Sequence, residues 1–178
     1  GIKTLYTIHN IQYQGKYGME ILEDVLGIPY SMRSIVEYDG CINLMKGAIE
    51  TANKVNTVCP TYAREILDPW YSYGLEGILR ERAWKISGIL NGIDVENYNP
   101  ATDPQIFFNY TIETQQEGKR ENKQQLQERL GLQKDSSVPM VGMVSRLVDQ
   151  KGLDLVNDVI PGIMDEHTQV VVLGTGDS

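Results

Sequence analysis

The sequence predicts an α/β protein made of two domains, each built around a parallel sheet. Three observations lead to this class. Short β-branched and apolar runs alternate with helical patterns along the chain. A polar stretch with two prolines, NYNPATDP, interrupts this alternation near the middle. After it, residues 141–156 have the pattern of a strand, a polar turn and a helix in direct succession.

The first half of the chain, residues 1–95, is predicted to form one domain, followed by a linker at 96–104. Its strand-like runs are rich in β-branched and aromatic residues, and they lie at residues 2–8, 54–58 and 86–90. Helices are expected at residues 19–26, 43–52, 60–67 and 74–84. Pro60 suits the first turn of a helix, because a backbone N–H at that position has no partner within the helix.

The second half, residues 105–178, begins with a polar helical segment at 114–130, which Gly131 is expected to end. A strand at 138–144 should be buried, since Val141, Met143 and Val144 make it apolar. The next helix repeats apolar residues every three or four positions, and a further strand follows at 169–173. Together these elements predict one right-handed βαβ unit.

Two cations flank the turn between this strand and this helix. The start of a helix offers free backbone N–H groups and a positive dipole end, which favour an anion. Arg146 can bind two oxygens of a diphosphate at once, and Lys151 adds a compact charge. The residues therefore indicate a phosphate site, although two solvated cations on an ordinary loop would give the same spacing.

A second candidate site follows the first predicted strand, where His9 and Asn10 open a loop rich in Gly and Tyr. Loops at the carboxyl ends of parallel strands commonly hold ligands, and a histidine there can act as an acid, a base or a donor to a sugar. The alternative is a histidine that only caps the strand through backbone hydrogen bonds. The glycines of Gly174-Thr175-Gly176-Asp177 also follow a strand and permit close approach of a ligand, but this motif is short and weak evidence.

Composition excludes several classes of protein. The chain has 178 residues, is 41% hydrophobic and carries a formal net charge of −8. This charge argues against nucleic acid as a partner, and no apolar run is long enough to cross a membrane. Cys41 and Cys59 lack metal-ligand spacing and are expected to be free, buried thiols in a reducing compartment. Two classes remain: a nucleotide-using transferase, and a non-catalytic module that binds a nucleotide or a sugar.

Six segments of the sequence help to choose between these two classes of protein. They are TIHNIQYQGKYG, TVCPTYAREI, GILNGIDVENYNPATD, ENKQQLQERLGL, VSRLVDQKGLDL and VVVLGTGD. In this order they closely resemble the bacterial glycogen synthases and the related plant starch synthases. The resemblance implies the GT-B arrangement of two Rossmann-like domains. It also implies transfer of glucose from ADP-glucose to the non-reducing 4-hydroxyl of an α-1,4-glucan, with retention of configuration. Another nucleotide sugar as donor, or residual ligand binding alone, are the alternatives.

The resemblance also assigns roles to the two cations. Arg146 and Lys151 match the residues of the SRLxxQKGLD motif that hold the donor diphosphate. They would stabilise the departing ADP, whose charge grows in the transition state. No metal or other cofactor is expected, because two fixed cations would take the place of Mg²⁺.

Five further residues are assigned by the same resemblance. His9 and Asn10 match a His-Asn pair that contacts the donor glucose, and Asn91 matches the Asn of the LNGID segment facing the same sugar. Gly174 and Gly176 match a turn that passes near the nucleotide.

Two family segments have no counterpart in the sequence: the opening Lys-Thr-Gly-Gly-Leu loop and a carboxylate-bearing segment beyond the GTGD turn. We therefore expect a central fragment of the enzyme, with parts of both domains. As an isolated fragment it is expected to be inactive, and to associate as a dimer or larger through sheet edges or exchanged halves. A bacterial parent would be cytoplasmic, and a plant parent would be in the plastid.

Overall fold

A computed structural model describes residues 1–164 and 167–176. It is an α/β structure that divides into two compact units, Gly1–Ile93 and Asp94–Ser178. The assignment of residues 1–95 and 105–178 to parts of two larger domains, with a linker at 96–104, stays a prediction. No helix in the described part of the chain is long and apolar enough to span a membrane.

The first unit alternates strands and helices, as the sequence predicts. In chain order its elements are β1 (Leu5–Ile8), β2 (Lys16–Tyr17), α1 (Ile21–Asp24), β3 (Glu37–Tyr38), β4 (Cys41–Asn43), α2 (Leu44–Thr51), β5 (Lys54–Thr57), α3 (Pro60–Glu65), α4 (Glu76–Glu81) and β6 (Ile86–Gly88). Short 3-10 helices lie at Tyr30–Ile35 and Ala83–Lys85.

The main sheet of this unit is parallel, with the strand order β1-β5-β6. One cluster of buried apolar side chains packs around it, drawn from the sheet and from α2, α4 and nearby loops: Ile8, Ile11, Met45, Ile49, Val55, Ile66, Leu75, Ile78 and Leu79. β1 begins at Leu5 rather than at residue 2. Before it, the Thr4 N–H donates to Asn53 Oδ1 at 2.8 Å, so a side chain takes the place of a further ladder bond.

Helix starts in this unit follow from local chemistry. Asn43 caps α2, because its Oδ1 accepts the backbone N–H of Lys46 at 2.9 Å. Pro60 occupies the first turn of α3, as expected.

The same unit contains a small antiparallel sheet that the sequence patterns do not predict. Its strand order is β2-β4-β3, and it covers a second apolar cluster formed by Leu22, Val36 and Ile42. The hairpin between β3 and β4 turns at Asp39 and Gly40, which both have positive φ, 50° and 74°. An Asp-Gly pair is a strong signal for this kind of turn. The flanking strands are too short to show the alternation of apolar and polar residues that marks a strand.

The second unit contains α5 (Gln115–Arg129), β7 (Met140–Val144), α6 (Leu153–Ile163) and β8 (Gln169–Leu173). β7 and β8 are paired in parallel and α6 connects them along the chain, which confirms the predicted strand–helix–strand order. Gly131 has the positive φ, 68°, of a residue that ends a helix.

The predicted burial of the strand at 138–144 is wrong. Val144 is 79% exposed, and Val141 is exposed as well. Among the described residues β7 pairs with β8 alone, and α6, which carries an apolar stripe, has no buried residue. An apolar run shows that a strand can be buried. The strand is buried only where other elements cover both faces of its sheet.

Candidate functional site

The parallel sheet of the first unit brings two predicted site residues to one edge. His9 directly follows β1, and Asn91 lies three residues after β6. Because the strands are parallel, both residues lie at the carboxyl edge, and β5 separates their strands. Neighbouring strands lie about 4.8 Å apart, so β1 and β6 are about 10 Å apart. Both His9 and Asn91 are exposed there.

The loop that carries His9 is held on both sides. Ile8 and Ile11, on either side of His9 and Asn10, are fully buried in the core. The Ile11 N–H donates to the Tyr62 hydroxyl at 3.0 Å, which ties the loop to α3. Asn10 is half-buried, and its Oδ1 accepts the backbone N–H of Gln12 at 3.0 Å. The exposed histidine is therefore presented from a fixed loop.

Cys59 lies just beyond the end of β5, the strand between those of His9 and Asn91, and its sequence context indicates no role at this edge. It follows β5 by two residues and is the N-cap residue of α3. The backbone N–H of Tyr62 foremost, with that of Thr61, lowers the pKa of the Cys59 thiol from its ordinary value of 9.0, while burial acts in the opposite direction. Both Cys59 and Cys41 are free, as expected, but they are half-buried rather than buried.

In the second unit, the predicted cations lie at the carboxyl end of β7. Arg146 follows this strand by two residues, and Lys151 ends the 3-10 helix Asp149–Lys151. Gly152, with φ 67°, is the N-cap residue of α6. Both cationic side chains are exposed, and they lie between a strand and a helix as the sequence predicts; the anion site itself stays a prediction.

The predicted glycines lie beside this turn. The Ser145 N–H donates to the Leu173 carbonyl at 3.1 Å, and the Leu147 N–H donates to the Thr175 carbonyl at 2.8 Å. A Cβ on Gly174 would lie 2.0 Å from the Ser145 oxygen. Crowding by the chain itself therefore already requires a glycine at 174, before any ligand is considered.

Gly176 is crowded in the same way, because a Cβ at this position would lie 2.2 Å from the Leu147 backbone oxygen. The structure thus brings Arg146, Gly174 and Gly176 together at one end of the β7–β8 pair. Asp177, the last residue of the predicted motif, lies outside the described residues.

Within residues 1–164 and 167–176, no group of three or more His, Cys, Asp or Glu side chains is placed to hold a metal ion.

Comparison with known proteins first defines the class. Residues 1–81 match the family model described as the starch synthase catalytic domain. The catalytic domain of starch synthase IV from Arabidopsis thaliana, solved with ADP and acarbose, superposes with a TM-score of 0.86. It is 36% identical, and the match covers 99% of this chain and 37% of that one. The chain is thus an α/β protein related to starch synthase catalytic domains.

The curated relatives that the chain matches are glycogen synthases. The glycogen synthase of Clostridioides difficile is 50% identical over 178 residues, and that of Alkaliphilus metalliredigens is 47% identical over 178 residues. Each match covers 99% of this chain and 37% of the relative. The chain is homologous to the glycogen and starch synthases, which confirms the resemblance seen in the six segments. It spans a little over a third of the length of these relatives.

Proposed function

We propose that this chain is part of a glycogen or starch synthase, a glycosyltransferase that moves glucose from ADP-glucose to the non-reducing 4-hydroxyl of an α-1,4-glucan, with retention. The observation that carries this proposal is the 50% identity to a glycogen synthase over 99% of the chain. The starch synthase IV structure, with ADP and acarbose bound, supports the choice of nucleotide and glucan.

In this proposal Arg146 and Lys151 hold the diphosphate of the donor. Both side chains are exposed at the turn between β7 and α6, where the free N–H groups of the helix start add to their attraction for an anion. As the bond to glucose breaks, negative charge accumulates on the departing ADP. Fixed cations stabilise that charge more than they stabilise the bound substrate, which lowers the barrier. With two cations in this role, we expect no metal or other cofactor.

The sugar is assigned to the other predicted residues. His9, Asn10 and Asn91 would contact the donor glucose from the carboxyl edge of the first sheet, and Gly174 and Gly176 would lie near the nucleotide. This division of roles goes with the GT-B arrangement of two Rossmann-like domains, which we propose for the parent enzyme. A cytoplasmic location in a bacterium, or a plastid location in a plant, follows from the same proposal.

A hybrid enzyme tests the function. In this hybrid the chain replaces the matching segment of the Clostridioides difficile glycogen synthase, with which it is 50% identical. The hybrid is expected to transfer labelled glucose from ADP-glucose to glycogen, and to prefer ADP-glucose to UDP-glucose. A hybrid that folds and binds glycogen but transfers no glucose would contradict the proposal. A preference for UDP-glucose would instead support a related transferase with another donor.

Association of the chain with itself stays a prediction. Apolar residues are exposed on β7, β8 and α6, among them Val144, Leu173 and Leu155, and such surfaces favour association. Light scattering on the purified chain measures this directly, and a monomer that melts cooperatively would contradict it.

A further inference from the structure

A turn on the first unit exposes several aromatic side chains next to one another in sequence. It joins α3 to α4 and reads DPWYSYGL. Trp70 is 83% exposed, and Tyr71 and Tyr73 are exposed as well. Tyr13, in the loop that begins at His9, is also exposed. We call these four side chains (Tyr13, Trp70, Tyr71 and Tyr73) the aromatic patch.

Hydrogen bonds hold the turn in one conformation. Asp68 Oδ1 accepts the Trp70 N–H at 2.9 Å, and the Asp68 carbonyl accepts the N–H groups of Tyr71 and Ser72, each at 3.0 Å. Ser72 is fully buried, and its hydroxyl donates to Glu76 at 2.6 Å. Because the backbone is already ordered, a ligand would lose little affinity to fixing the turn.

The turn is joined to the loop that carries His9. Gln14 is buried, and its Nε2 donates to the Tyr73 carbonyl at 3.0 Å while its Oε1 accepts from Asn43 at 2.7 Å. Burial, foremost, and the nearby Tyr73 phenol raise the pKa of Tyr62. The Tyr62 hydroxyl is the group that accepts the Ile11 N–H. These hydrogen bonds therefore connect the turn that carries the aromatic patch to the loop that carries His9.

Exposed aromatic rings with polar tips suit a sugar chain. The C–H faces of a pyranose ring are apolar and pack against a flat ring, while the hydroxyl groups at the rim accept and donate hydrogen bonds. A group of exposed aromatic side chains commonly marks a binding surface. The chain's net charge of −8 argues against a polyanion as the ligand.

The second tryptophan provides a contrast. Trp84 is 73% exposed, but Lys54 Nζ and Lys85 Nζ each lie 5.8 Å from the centre of its ring. Cations near the ring compete with a sugar for its face. No such cation is recorded over Trp70 among the described residues.

We propose that the aromatic patch binds glucose units of an α-1,4-glucan next to the sheet edge that carries His9. The identity of the glucan rests on the proposed function, and the location of the patch rests on the contacts above. The patch would hold the acceptor chain on the first unit.

The two tryptophans are the only ones in the sequence, so fluorescence separates them. With maltoheptaose as the probe, the Trp84→Phe chain should show a change in emission, because Trp70 is then its only tryptophan. The Trp70→Phe chain should show none. In calorimetry, Trp70→Ala should weaken binding of maltoheptaose roughly tenfold, equivalent to about 1.4 kcal/mol, while the matched Trp84→Ala should bind like the unaltered chain. Both side chains are exposed, so the melting temperatures should not change.

Equal affinities of Trp70→Ala and Trp84→Ala would overturn the inference, as would a response from Trp84 alone. The glucose-transfer activity of the hybrid is measured separately. An active hybrid combined with equal affinities would leave the proposed function intact and refute only the aromatic patch. Affinity that depends on Trp70, combined with a folded but inactive hybrid, would support the patch and contradict the proposed function.

Discussion

Replacing the buried Gln127 should destabilise the second unit. This residue lies on the polar helix α5 but is fully buried. Its Nε2 donates to the Asp135 carbonyl and to Gln169 Oε1, both at 2.8 Å. Its Oε1 accepts the Asp135 N–H at 3.0 Å. One side chain thus joins α5 to the loop before β7 and to the first residue of β8, the two strands that position Arg146.

The magnitude follows from these three hydrogen bonds. Each contributes a net of about 1 kcal/mol, so Gln127→Leu removes about 3 kcal/mol. Asp135 is half-buried, and water can replace part of the loss, which leaves about 2 to 3 kcal/mol. For a chain of this length, that corresponds to a fall of roughly 4 to 12 °C in melting temperature.

Thermal melting followed by circular dichroism measures the effect. Gln125→Leu is the matched control, because Gln125 is exposed on the same helix, and it should change stability by no more than about 0.5 kcal/mol. If Gln127→Leu melted within about 1 °C of Gln125→Leu, the assigned hydrogen bonds would not be contributing to stability as calculated.

Three further predictions concern the two site regions and pH. In the hybrid, His9→Ala should lower kcat with little change in ADP affinity, whereas a fall in melting temperature alone would favour a structural role. Gly174→Ala should destabilise by about 1 to 3 kcal/mol, because its Cβ would lie 2.0 Å from a backbone oxygen; Gly162→Ala, inside α6 with open space around it, should stabilise by about 0.5 to 1 kcal/mol. The hydroxyl and N–H of Ser137 lower the pKa of Asp135 from its ordinary value of 3.8. These hydrogen bonds to the Asp135 carboxylate therefore stabilise the fold above about pH 3.8, and this stabilisation is lost as the pH falls through the lower pKa of the folded chain. The difference in melting temperature between the unaltered chain and Asp135→Asn should therefore shrink in acid; a constant difference would contradict this.

Local chemistry made much of the fold predictable. The alternation of strands and helices follows from short sequence patterns, and so do the helix starts at Asn43 and Pro60. Arg146 and Lys151 could be placed around a turn because the strand before them and the helix after them are both strongly patterned. The hairpin at Asp39 and Gly40 has a local signal as well, the Asp-Gly pair itself.

Contacts between distant segments could not be predicted in the same way. Gln127 belongs to a helix that is polar throughout, and its burial depends on Asp135 and Gln169 arriving from elsewhere in the chain. The exposure of Val144 depends in the same way on which surfaces surround β7. Similarly, the glycine at 174 was assigned to a ligand, although the Ser145 oxygen already requires it.

The donor site is tested most directly by the kinetics of the hybrid with ADP-glucose. Arg146→Ala and Lys151→Ala should each lower kcat/KM by roughly a hundredfold or more, because each would remove a proposed charge-assisted contact to the diphosphate. Lys151→Arg should restore only part of the activity, since a planar guanidinium does not place its charge where an ammonium does. Arg129→Ala, which removes an exposed cation from α5, is the control and should leave kcat/KM unchanged. Unaltered kinetics from Lys151→Ala would contradict the assignment of this turn as the diphosphate site.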